Sequence, residues 1–191
     1  MQTQPRAGFW REPDGAALAK QDAYDAWAHA AYRRLLSVAT GYHRWITYGD
    51  LGDDVQSSTG IRTSLPLVFW IGRVLALVVA ETHRRGDPPL TALVIHSDDH
   101  MVGEGYRLVL SSAGEAPIED VFAREDHAAE ARLTCYRRFS ADLPADGGIA
   151  ELPPKLHAKR YGKRPAAEIP ARVCPNCRVV LPVSGVCDEC G

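Results

Sequence analysis

Between Asp22 and Thr40 apolar residues recur every three or four positions: Trp27, Ala31, Leu35 and Val38 form one stripe, and Asp25, Arg33 and Arg34 fall off it. That spacing predicts an amphipathic helix. Thr47, with Asp50 three residues on, reads as the N-cap of a short second helix reaching about Ser57, which Thr59 and Gly60 break. Ser64 and Pro66 open a third helix running to about Arg85, with Gly86 as its stop and two arginines suited to its dipole. Asp87-Pro88-Pro89 is a turn and Leu90 to His96 a strand of buried type. Ser97 to Gly105 is a loop, Tyr106 to Ser111 is either a short strand or a helical turn, and Glu119 to Ser140 is a final long helix. The order predicts a mainly α fold with a small β-wing, winged-helix-like over residues 22–115.

The longest apolar run, Leu65 to Ala80, is interrupted by Arg73 and falls short of the roughly 18 residues that a bilayer span needs. It predicts a buried helix. Its apolar residues, Trp70 and Phe69 among them, lie on every face. Such a helix is enclosed, either by the two long helices 22–40 and 119–140 or by a second copy in a homodimer seam.

Composition divides the chain. Residues 1–150 carry a formal charge of −5 and residues 151–191 one of +3. Four of the five cysteines fall in the last eighteen residues. The expected organisation is an N-terminal arm (1–21), a helical winged-helix-like domain (22–140), a basic flexible linker (141–172) and a C-terminal cysteine-bearing module (173–191). The overall net charge of −2 removes whole-molecule basicity as an argument for nucleic-acid binding, so any electrostatic footprint is local. The polar N-terminus lacks the apolar stretch of a signal peptide, which leads us to expect a cytoplasmic protein with no membrane partner.

The strongest chemical signal is Cys174-Pro-Asn-Cys177 followed, after nine residues, by Cys187-Asp-Glu-Cys190. Two Cys-x-x-Cys pairs supply four thiolates for one tetrahedral ion, and zinc suits sulfur without redox chemistry. Two disulfides or four free thiols are the competing readings, the disulfides disfavoured without a secretory signal. The module resembles the zinc ribbons, which implies a closed, structural site. Ahead of it Lys155, Lys159, Arg160, Lys163 and Arg164, with Tyr161 among them, place five cations in ten residues. They can neutralise phosphates or simply keep a linker solvated.

Four stretches follow in order: Ile46-Thr47-Tyr48-Gly49-Asp50-Leu51-Gly52, Ile71-Gly72-Arg73-Val74-Leu75, Leu93-Val94-Ile95-His96 and Gly103-Glu104-Gly105-Tyr106. Over about sixty residues, 46–106, they resemble the winged-helix DNA-binding domain of alkylguanine-DNA alkyltransferases and alkyltransferase-like proteins. The resemblance implies a tyrosine beside a flipped phosphate at Tyr48, although a tyrosine packed on the first helix reads the same way. The family's Pro-Cys-His-Arg nucleophile motif falls near Leu93 to His96, where no cysteine stands, and its intercalating arginine falls near Phe69. Cys135, on the last helix, reads as a buried structural thiol. Alkyl transfer is therefore not expected.

These observations point to a non-enzymatic nucleic-acid-associated adaptor or regulator with a structural zinc, contacting DNA or RNA through Tyr48, Arg62 and the basic linker. A protein–protein module without nucleic acid is the alternative, favoured by the acidic first domain. A third reading is a metal-dependent nuclease or hydrolase using His96, Asp98, Asp99 and His100.

Overall fold

The computed structural model describes residues 8–162 together with Asn176 and Cys190. The chain divides into one unit from Met1 to Leu156 and a second from His157 to Gly191. The first unit is mainly helical, with a small β component.

Helix α1 (Lys20–Ala39) carries the expected stripe: Trp27, Ala31, Leu35 and Val38 are all buried. Strand β2 (Ile46–Thr47) leads into α2 (Tyr48–Thr59), whose N-cap Thr47 accepts the Asp50 amide at 3.1 Å. Gly60 ends α2 at a φ of 66°, a left-handed turn that a side chain would strain. The third helix starts later than the apolar run suggests. A 3₁₀ turn at Leu67–Phe69 precedes α3 (Ile71–Arg85), with Trp70 in an irregular conformation between them. That break decides which of two adjacent aromatic rings enters the core. Trp70 is 1% exposed, whereas Val68 is 77% and Phe69 70% exposed. Trp70 is covered by Trp27 of α1 and by α2 at Gly52, where an added Cβ would lie 2.5 Å from Leu67.

The expected strand at Leu90 to His96 shortens. Leu90–Leu93 is a 3₁₀ turn, and only Val94–Ile95 is extended, as β4. Tyr106 to Ser111, open between strand and helix in the sequence, is helical: a 3₁₀ turn at Glu104–Tyr106 runs into α4 (Arg107–Ser112). The β component of this region is therefore shared with β2, which pairs in parallel with β4, rather than made within residues 90–111. A second ladder pairs β1 (Phe9–Arg11) antiparallel with β3 (Ile61–Thr63).

Helix α5 (Val121–Phe139) is capped by Asp120, which accepts the Ala123 amide, and packs on the Leu90–Leu93 turn. Packing extends into both segments that flank residues 22–140. Part of the N-terminal arm belongs to the fold, since β1 buries Phe9 against Tyr24 and Trp27. The start of the expected linker does too: Leu152 and Leu156 are buried with Met101 and Ala129, and α6 (Pro154–Tyr161) begins there. Short apolar side chains in a Pro- and Gly-rich stretch read as linker, but two leucines suffice to anchor it. In the second unit the described residues include the end of α6, where the His157 and Tyr161 rings lie 5.0 Å apart. Among the described residues no helix is long and apolar enough to cross a membrane.

Candidate functional site

A cleft of about 590 Å³ opens between α3 and the segment Val102–Leu108. Its walls are apolar: Leu67, Val68, Ile71, Leu75 and Val79 on one side, Val102, Tyr106 and Leu108 on the other. The size and lining are those of a small-molecule pocket. Tyr48 and His96 supply an aromatic pair, with ring centroids 4.7 Å apart and planes tilted by 32°. The backbone accounts for that pairing. Ile46 sits opposite Val94 and Thr47 opposite Ile95 in the parallel ladder, so the next residue of each strand, Tyr48 and His96, is delivered side by side.

Side chains hold the loop that forms the far wall. Glu125 of α5, fully buried, accepts the Val102 amide at 2.8 Å. The next amide, Gly103 N–H, donates to the Tyr48 hydroxyl at 3.2 Å. An added Cβ on Gly103 would lie 2.6 Å from that hydroxyl and 3.1 Å from His96 Nε2, so glycine is required where the loop meets the two rings. Asp99 caps the Met101 amide, Lys155 Nζ donates to the Ser97 carbonyl, and Arg124 pairs with Glu104 at 3.3 Å.

Burial pushes the Glu125 carboxyl up to about 6, against the opposing pull of the Val102 amide and the buried Arg132 guanidinium. Burial also raises the Tyr48 and Tyr106 phenols, which therefore stay protonated at neutral pH. The Tyr106 hydroxyl bonds His127 Nδ1 at 2.8 Å, and His127 Nε2 meets Glu115 at 2.9 Å.

The side chains that the sequence singled out do not all gather here. Tyr48 is in the cleft. Arg62 is on β3, paired with Glu12 at 3.0 Å, and is not a lining residue. Lys155 is engaged with the 97–105 loop; Lys159 and Arg160 lie on α6 in the second unit. Lys163, Arg164, Cys174, Cys177 and Cys187 lie outside the described residues, and Cys190 is exposed. Cys135 is buried, its thiol pushed up to about 12, the state of an inert structural cysteine.

The residues of the His96–His100 loop face different partners. His96 packs on Tyr48, His100 on Trp45 at 4.6 Å, and Asp99 caps its own loop. Burial lowers the His100 imidazole, while backbone hydrogen bonds lower Asp98. Among the described residues no three His, Cys, Asp or Glu side chains converge as metal ligands.

Beside the cleft, a smaller groove is lined by Lys20, Gln21, Tyr24, Phe69 and Arg73. Arg73 is the one charge inside the apolar run, and only the packing of α1 and α3 places it in the same groove as Lys20. No family model, curated protein or solved structure matches the chain.

Proposed function

We propose that the protein is a non-enzymatic nucleic-acid-associated adaptor or regulator, winged-helix-like, whose cleft receives an unstacked base. The observation that carries this reading is a coincidence of sequence and geometry. All four stretches that resemble the alkyltransferase DNA-binding domain contribute to one cleft: Tyr48 from the first, Ile71, Gly72 and Leu75 from the second, His96 from the third, and Gly103 to Tyr106 from the fourth. A planar, weakly polar ligand fits an apolar slot with an aromatic pair. Unstacking a base costs a few kcal/mol, which stacking and apolar burial in such a pocket offset. His96 stands where the family's nucleophile region falls, and an imidazole packed against a tyrosine has no thiolate to accept an alkyl group. Recognition without chemistry follows.

The C-terminal module complements this reading. Cys174, Cys177, Cys187 and Cys190 would hold one zinc as a closed thiolate site, whose chemistry is structural. Lys159, Arg160, Lys163 and Arg164 would add phosphate contacts. A protein partner is the second reading, supported by the exposed Val68 and Phe69 and the formal charge of −5 over residues 1–150.

A fluorescent base analogue in a short oligonucleotide, single-stranded or opposite a mismatch, tests the assignment. Its emission is expected to change on titration with the full chain. Ala76→Phe, which places a ring into the cleft from a half-buried wall position, should abolish the change. Binding that survives Ala76→Phe, or no binding at low salt, would remove the base-pocket reading.

A further inference from the structure

Val68 and Phe69 form an exposed ridge with a different surface on each side. Leu67 and Val68 line the apolar cleft, while Phe69 lines the groove of Lys20, Gln21, Tyr24 and Arg73. Lys20 is the first residue of α1, and Arg73 lies in the first turn of α3. Both are exposed, and neither enters an ion pair among the described residues. The Lys20 ammonium lies 5.6 Å over the Tyr24 ring, and Gln21 is held by Asp25 at 2.8 Å. Elsewhere on α3 the arginines are spent: Arg84 and Arg85 both bind Glu81.

We infer that the groove lined by Lys20 and Arg73 is a phosphodiester seat for an oligonucleotide whose base occupies the cleft. This rests on the nucleic-acid reading above and names which cations serve it. An oligonucleotide bound at a base pocket must carry its backbone over the rim. On the Phe69 side of that rim stand two cations outside any ion pair among the described residues, matched to a phosphate chain and unsuited to an apolar peptide.

The test is the salt dependence of binding to a short single-stranded oligonucleotide by the full-length protein. Each phosphate contact contributes roughly 0.7 to the slope of log K against log salt on a single strand. The double change Lys20→Gln with Arg73→Gln is expected to reduce that slope by about 1.4 and to weaken binding on the order of tenfold or more at 0.1 M salt. The control Arg84→Gln with Arg85→Gln should leave slope and affinity unchanged. Phe69→Ala should leave the slope unchanged, because it alters the groove wall and removes no charge. An unchanged slope in the Lys20/Arg73 variant, with binding intact, would overturn the seat and leave the base pocket standing. Absence of binding by the unmodified protein at low salt would overturn both.

Discussion

Trp70 lies against Trp27 with ring centroids 4.5 Å apart, and Trp27 in turn donates its indole N–H to the Ile61 carbonyl at 3.3 Å. The two rings join α3 to α1, and the hydrogen bond ties both to β3. One residue earlier in the chain, Phe69 has no part in this cluster.

Trp70→Ala should therefore cost about 3–5 kcal/mol of stability by chemical denaturation, the range for a large buried ring replaced by a cavity. Phe69→Ala should change stability by no more than about 0.5 kcal/mol, as a surface substitution does. Equal costs at both positions would mean that Phe69 is also buried, for instance in a homodimer, and light scattering would report the mass.

Glu125 makes stability depend on pH in an unusual direction. Its carboxyl ionises at about 6 in the folded chain and at an ordinary 4.5 outside it. Between those values the folded state holds a proton that the unfolded state has released, so stability falls as pH rises through this window. The full difference, about 2 kcal/mol at most, is in place above pH 6. Glu125→Gln keeps an acceptor for the Val102 amide and removes the charge. Relative to the unmodified protein, it should gain stability between pH 4 and pH 7, by denaturant titration at each pH. A constant difference across that range would refute the assignment.

Gly103→Ala should destabilise the 97–105 loop, by on the order of 1–3 kcal/mol, because the new methyl meets the Tyr48 hydroxyl at 2.6 Å. Removing that hydroxyl with Tyr48→Phe deletes one hydrogen bond, worth about 1 kcal/mol, but makes room. The two changes should be less than additive in a double-mutant cycle. Strict additivity would place the Gly103 amide and Tyr48 apart.

Metal analysis of protein purified under reducing conditions should find about one zinc per chain. Replacing Cys174 and Cys187 by serine should release it, with the stability of the first unit unchanged. A metal-free protein with all four thiols reactive would remove the zinc assignment.

The sequence alone determined what depends on neighbours a few positions away. The α1 stripe, the Thr47 cap of α2 and the stop at Gly86 follow from periodicity, capping chemistry and backbone freedom, and each is present. The extent of the Leu90–His96 strand was not local, because only Val94 and Ile95 find partners, on a strand some fifty residues earlier. Nor was the choice between Phe69 and Trp70: both are large aromatic residues in one apolar run, and the irregular backbone at Trp70 decides which turns inward. The anchoring of Leu152 and Leu156 is not local either, since their burial needs Met101 and Ala129 in place. At the site, Tyr48 was legible from its motif, but its pairing with His96 required the parallel ladder. The carboxylate that secures the cleft loop, Glu125, looked like any charged residue of an amphipathic helix. Its burial is a property of what packs over it, and short-range pattern carries no record of contacts between residues far apart in the chain.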